Sequence, residues 1–183
     1  EGREAAERPK YVTNYIGSKQ KLIDWIWAST PDDVTTAVDA FSGSSVVGYM
    51  YKSKGLGVHA VDRLAYCGHI AKAIVENDSV TLSDAEIDAL LADNPKASDF
   101  VRKTFAGLYF EPGVHAVIDT IRSNIDATKL AGFKRDIALF ALGKSCITGK
   151  GGFGHFGTTV RQDGRADSPS HFRERFADNC RRI

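Results

Sequence analysis

No apolar run in this sequence approaches the roughly 20 residues that a membrane-spanning helix needs. The first ten residues, Glu1 to Lys10, are charged and have no apolar centre, so they do not read as a secretory leader. An initiating methionine is also lacking, which points to a cut or processed chain. Cysteine is scarce: Cys67, Cys146 and Cys180 are odd in number and without paired spacing. That argues against a disulfide framework and fits a reducing, cytoplasmic compartment. Cys67-x-His69 with Cys146 and His155 lacks any C-x-x-C or H-x-x-x-H pairing, so these read as incidental core residues and no metal is expected. Gly143 to Lys150 is one residue too long for a phosphate loop and is followed by Gly151 instead of Ser or Thr. No Ser-His-Asp spacing suggests a hydrolase, and there is no internal repeat or low-complexity segment.

What remains is an ordinary globular composition, 43% hydrophobic and 26% charged over 183 residues, enough for one domain with a real core. The net charge of +1 is unevenly spread. Lys144 to Ile183 holds eight basic and four acidic residues, and the rest has an acidic excess. A basic C-terminal quarter suits a polyanionic partner, and it equally suits a solvated surface.

After a tail, Ser18 is placed to cap a helix carrying Leu22, Ile23, Ile26 and Trp27 at helical spacing, with Trp25 and Trp27 as its core and rim. Thr35 to Phe41 reads as a buried strand, Ser42-Gly43-Ser44 as a tight turn, and Val46 to Tyr51 as the start of a helix stopped by Gly55 and Gly57. Val58 to Val61 is a second strand closed by Asp62, and Tyr66 to Glu76 a second helix. This alternation within about 45 residues implies a right-handed parallel β-α-β unit. Beyond Asn77 the pattern turns helical. Ser83 to Glu86 matches a capping box, Pro112 opens a helix with Val114, Val117, Ile118, Ile121 and Ile125 on one stripe, and Phe133 to Ile147 forms another. Gly149 to Gly157 is a glycine-aromatic loop.

Three places carry candidate chemistry. The turn at Val38 to Val46, which includes Asp39, lets backbone approach a ligand at the carboxyl edge of a sheet. Its single glycine, Gly43, does not make the G-x-G-x-x-G cradle of a dinucleotide, so a nicotinamide enzyme is disfavoured. The amino-acid end of S-adenosylmethionine fits better, and a plain β-α turn is the bland alternative. Asp62, ending the second strand, can accept from both hydroxyls of a ribose or cap the following helix. Lys19, behind Gly17 and Ser18, sits at a helix start where the dipole disfavours a cation. Either an anionic ligand group lies nearby or the lysine is simply exposed.

Tyr15-Ile16-Gly17-Ser18-Lys19, Phe41-Ser42-Gly43-Ser44 and Asp62 together resemble the D12 class of bacterial DNA adenine methyltransferases. So do Tyr109-Phe110-Glu111-Pro112, Ile118 to Arg122, and the placement of Gly152 to Gly157, a likeness covering roughly Tyr11 to Phe156. The resemblance implies an α/β, Rossmann-like S-adenosylmethionine-dependent methyltransferase fold, present in part, with a mostly helical insertion. It implies that Tyr15, Gly17, Ser18 and Lys19 contact the cofactor, Lys19 toward its carboxylate. Asp39 would be a further cofactor contact, Phe41 to Ser44 would wrap the methionine moiety, and Asp62 would hold the ribose. The target it implies is double-stranded DNA, in which the adenine would be flipped out for methylation at N6 in a restriction-modification setting.

The implied layout is a tail at 1–10, a cofactor-binding β-α-β part at 11–79, and at 80–183 a helical insertion for target recognition with the start of the return to the sheet. Arg161, Arg165 and Arg173 are the candidate phosphate contacts, on basic clustering alone. The family's Asp/Asn-Pro-Pro-Tyr/Phe catalytic motif is missing, because prolines stand only at 9, 31, 95, 112 and 169. Family order places it beyond Ile183, so truncation is expected, with a split or degenerate enzyme as the rival. The chain alone is then expected not to transfer a methyl group. An RNA adenine methyltransferase and a non-catalytic nucleic-acid-binding module on the same fold are the alternative readings.

Overall fold

Two short runs separated by a helix fold into a parallel pair. The structure is a computed structural model and describes residues 15–105, 107–148 and 167–183. Strand β1 (Thr36–Asp39) pairs with β2 (Gly57–Ala60), from Thr36 opposite Gly57 to Asp39 opposite Ala60. Helix α2 (Val46–Ser53) makes the crossover. Gly55 ends α2 at φ +84°, the left-handed conformation that glycine adopts without steric cost. The predicted β-α-β unit is therefore present, with β2 one residue earlier than expected.

The expectation of a buried strand over Thr35 to Phe41 needs correction. The strand is four residues long, Val38 is 66% exposed and Phe41 is 92% exposed. Parallel strands bury both faces only where helices cover both. Here exposure alternates along both strands, leaving Thr36, Val38 and His59 on an open face.

Upstream, a 3-10 turn (Gln20–Leu22) leads into α1 (Ile23–Ala28). Ser18 does not cap this helix in the usual way. Leu22 is the cap residue of α1 and Lys19 that of the 3-10 turn, while Ser18 Oγ accepts the Gln20 N–H at 3.4 Å. Ile23 is the buried residue of α1 and packs with Val46 and Met50 of α2. Trp25, expected in the core or rim, is 68% exposed, while Trp27 is half-buried with the Lys54 ammonium 5.6 Å from its ring centroid.

The rest is helical. α3 (Ala65–Ala71) runs on into a π-helical turn (Lys72–Glu76). α4 (Asp84–Leu91), α5 (Phe100–Thr104), α6 (Pro112–Ala127), α7 (Phe133–Thr148) and α8 (Pro169–Arg182) follow. The capping box forms as predicted: Ser83 Oγ accepts the Glu86 N–H at 3.3 Å and Glu86 accepts the Ser83 N–H at 2.9 Å. Buried polar side chains close other helix ends. Asp119 accepts the Val101 and Arg102 amides at 2.8 and 3.0 Å, and Asn124 donates to the carbonyls of Leu90 and Ala92 at 3.0 and 2.8 Å. Such groups must be satisfied when buried, so each fixes one helix against another.

One hydrophobic cluster joins α3 and its π turn to α4, α6, α7 and α8, with Ile70, Leu90, Ile121, Phe140, Phe172 and Phe176 among its members. His69 Nδ1 meets Asp136 Oδ1 at 2.6 Å and Tyr66 Oη donates to Phe140 O at 3.4 Å, tying α3 to α7. Cys67, Cys146 and Cys180 are all free. Among the described residues, no helix is long and apolar enough to cross a membrane and no His/Cys/Asp/Glu group has the makings of a metal site.

Two outcomes test this packing. Alanine normally favours a helix over glycine by about 1 kcal/mol. A Cβ at Gly143, however, would fall 2.3 Å from the Tyr66 ring. Gly143→Ala is therefore expected to destabilise by about 1–3 kcal/mol, and a raised melting temperature would contradict the close fit.

Glu86 takes the Lys134 ammonium at 2.6 Å, which together with the Ser83 amide holds its carboxyl down to about 2 from 4.5. A lowered folded-state value stabilises fully above the ordinary carboxylate range and is lost as pH falls toward the folded value. For this partly exposed pair Glu86→Gln is expected to cost about 1 kcal/mol at neutral pH. The difference from the native chain should vanish near pH 2 in denaturant titrations. A pH-independent difference would rule out the ion pair as its source.

Candidate functional site

The carboxyl ends of β1 and β2 open onto a tight turn that needs unusual backbone. Gly43 has φ +48° and Ser45, which precedes α2, has φ +54°. Ser45 N donates to Ser42 O at 2.6 Å, and Ser42 N donates to Val61 O at 3.0 Å, which fastens the turn to the end of β2. Glycine tolerates this left-handed region and serine does so only with strain.

Asp62 crosses the gap between the two strand ends. Its Oδ2 accepts the Gly43 N–H at 2.8 Å and its Oδ1 accepts the Leu64 N–H at 2.9 Å. The Leu64 and Gly43 amides hold the Asp62 carboxyl below the usual carboxylate range. A carboxylate has about four lone-pair sites, so each oxygen can still accept one further hydroxyl. Leu64, and not Asp62, is the cap residue of α3, but Asp62 accepts its amide and so also holds the start of that helix. Asp39, at the end of β1, accepts the Gly48 N–H in the first turn of α2 at 3.0 Å. Burial pushes its carboxyl above the usual range, against that amide.

The segment before α1 folds over this turn. A Cβ at Gly43 would lie 3.0 Å from the Tyr15 ring, so the ring covers the glycine directly. The Cys67 thiol donates to Tyr15 Oη at 3.5 Å. The Cys67 side chain beside it, ahead of burial, pushes the phenol up to about 12. Ser44 Oγ donates to Ser18 Oγ at 3.2 Å. Gly17 turns at φ +82° with open space around it, and Lys19 Nζ donates back to Gly17 O at 2.6 Å.

The structure thus brings Tyr15, Ser18, Asp39, Ser42, Gly43, Ser44 and Asp62 to one place, with Gly17 and Lys19 on the covering loop. Phe41 stands at the same edge with its ring in solvent. Arg173 lies elsewhere: its guanidinium donates to Leu91 O at 2.5 Å and reaches Asp93 at 3.5 Å, joining α8 to the end of α4. Arg161 and Arg165 lie outside the described residues.

Sequence reasoning missed two residues. Ser45 follows the assigned run directly, and its positive φ is not readable from a serine. Cys67 lies one turn beyond Asp62 and carried no recognisable spacing.

Chemically, the arrangement favours a polar ligand. Among the described residues, the hydroxyls of Ser42 and Ser45 are buried without any hydrogen-bond partner, on residues 7% and 0% exposed. Buried polar atoms left unpaired cost stability, and they collect where a ligand or bound water completes them. Beside them lie an ionised carboxylate with spare acceptor sites and the N-terminal end of α2. A separate groove of about 520 Å³ runs along β2, lined by Val58, Ala60, Gly68 and Ala71 among others, and it includes neither Gly43 nor Asp62.

Comparison with known proteins gives this arrangement a family. The chain is 32% identical over 149 residues to the Type II methyltransferase M2.HphI of Haemophilus parahaemolyticus, covering 81% of this chain and 44% of that relative. It therefore spans less than half the length of the relative. No solved structure matches. The profile of the D12 class N6 adenine-specific DNA methyltransferases matches residues 15–178, a stretch that begins at the tyrosine covering Gly43 and takes in the whole turn, and the chain belongs to that family.

Proposed function

We propose that this chain binds S-adenosylmethionine at the β1–α2 turn and serves methylation of adenine N6 in double-stranded DNA, within a restriction-modification system. The observation that carries the reading is the pair of unpartnered buried hydroxyls, Ser42 and Ser45, beside a carboxylate with free acceptor sites. Family membership and a Type II methyltransferase relative support it. The finer fold proposed is a Rossmann-like sheet of which the β1-α2-β2 unit is a part, because ligands of open α/β sheets bind at the carboxyl ends of the strands.

In this reading Asp62 accepts from the ribose hydroxyls. Gly43 and the serines of the turn lie along the methionine moiety, and Phe41 offers an exposed ring at the same edge. Lys19 has two N–H groups beyond the one given to Gly17 O and can reach a carboxylate. When bound, the cofactor supplies an electrophilic methyl group on a sulfonium. The residues of the turn bind and orient it, and Tyr15 screens the turn from water. No two prolines are adjacent in the chain, so the proposed catalytic Asx-Pro-Pro-aromatic residues are not among its residues. The helical part from 80 onward is proposed to recognise the target.

Calorimetric titration is the direct test. The native chain is expected to bind S-adenosylmethionine and not NAD. Asp62→Ala is expected to weaken binding at least tenfold, since two hydrogen bonds to a charged group are removed, each worth about 1.5–3 kcal/mol. Equal affinity for both ligands, or an unaffected variant, would sink the reading.

For DNA, Arg161 and Arg165 are the better phosphate candidates, because the Arg173 guanidinium is already engaged. Neutralising Arg161 and Arg165 to glutamine should lower the slope of log affinity against log salt by about one for each phosphate no longer neutralised. An unchanged slope would remove them from the interface.

A further inference from the structure

One buried reactive group at this site remains without a role. Cys67 is the third residue of α3 and is fully buried. Its thiol donates to Tyr15 Oη at 3.5 Å, and the charge of Asp62 lies near the same sulfur. These interactions close a ring. The Tyr15 ring covers Gly43, the Gly43 N–H goes to Asp62, Asp62 neighbours Cys67, and Cys67 returns to Tyr15.

The members of that ring are unequally anchored. Among the described residues, the Tyr15 segment has few ties of its own: the Ser18 and Ser44 hydroxyls at 3.2 Å, and local turns. Gly43 sits on a strained turn. Cys67, by contrast, lies on a helix bolted to α7 on both sides, through Tyr66 to the Phe140 carbonyl and through His69 to Asp136. It is the point where the ring meets the helical core.

We infer that Cys67 is a positioning residue of the cofactor site: its thiol fixes the Tyr15 hydroxyl, and with it the ring that covers the Gly43 turn held by Asp62, and so sets the affinity for S-adenosylmethionine. This rests on the cofactor reading above. Burial also pushes the thiol up from its ordinary value, so it acts as a neutral hydrogen-bonding group and not as a thiolate nucleophile.

The alternative is a small apolar filler, and the two roles separate under substitution. Affinity for S-adenosylmethionine is measured by titration of the 183-residue chain, native and as Cys67→Ala, Cys67→Ser, Tyr15→Phe and the Tyr15→Phe/Cys67→Ala double variant, each with its melting temperature. Alanine is expected to weaken binding about fivefold, the worth of one ordinary hydrogen bond, and serine, which keeps a donor, to restore it to within about twofold of native. In the Tyr15→Phe background the alanine change should add less than it does alone, because the hydrogen bond it removes is already broken.

A partly unfolded variant shows reduced stoichiometry, which is distinct from reduced affinity. Native-like binding by Cys67→Ala overturns the inference. So does serine binding as weakly as alanine, or full additivity with Tyr15→Phe. Binding by the native chain that is abolished in Asp62→Ala, together with any of these, overturns the role of Cys67 and leaves the cofactor reading standing. Failure of the native chain to bind overturns both.

Discussion

Two backbone amides from separate loops converge on one carboxylate, and the site depends on that convergence. The Gly43 amide belongs to the β1–α2 turn and the Leu64 amide to the approach to α3. Without Asp62 both would need another acceptor, and the turn would lose the bond that holds its left-handed glycine against the end of β2. The same two bonds favour the ionised form of Asp62. Asp39, at the end of the neighbouring strand, is pushed the other way, by burial first and then by the nearby charge of Asp62. Environment therefore gives two aspartates at adjacent strand ends opposite tendencies, one firmly charged and facing the turn, one half-buried and used to hold α2.

The sheet itself cannot supply that rigidity. A two-stranded pair with one open face is marginal by itself. Stability comes from the helical cluster, and α3 passes it to the site. One face of α3 and its π turn enters the core through Ile70, Ala73 and Ile74. Its first turn carries Cys67 toward Tyr15, and its start is fixed by Asp62. Helical packing some distance from the turn thus decides where the turn and its covering tyrosine stand. The close fit of Gly143 against Tyr66 belongs to the same connected packing.

Much of this was legible in the sequence, for reasons of period and local chemistry. The β-α-β order follows from alternating apolar runs and glycine stops. α4 follows from its capping box, and α6 and α7 from Pro112 and their apolar stripes. Asp62 and the Ser42-Gly43-Ser44 turn were identifiable because strand ends and turns demand few residue types. Exposure was not legible. Val38 and Phe41 look like core residues in a one-dimensional pattern, since nothing in the pattern says whether a second helix layer covers the strand. Trp25 misleads likewise. Long-range pairings were hidden for a different reason. Tyr15 over Gly43, Cys67 to Tyr15 and His69 to Asp136 join residues far apart in sequence, and no spacing rule relates them.

Charge shows how a composition argument changes once partners are known. The basic excess of the C-terminal quarter suggests a polyanion-binding surface, but several of its arginines are already committed within the fold. Arg173 holds the Leu91 carbonyl and Asp93, and Arg181 meets Asp84 at 3.0 Å. Arg175 grips the Asp167 carboxylate through two N–H groups and donates to the Ser145 carbonyl at 3.1 Å. A guanidinium bound to a carbonyl or carboxylate of its own chain must give up that bond to neutralise a phosphate, so it adds little to counterion-driven binding. These arginines serve chiefly to dock α8 against α4 and the end of α7. Formal charge by region overstates the free cationic surface by the number of arginines so engaged.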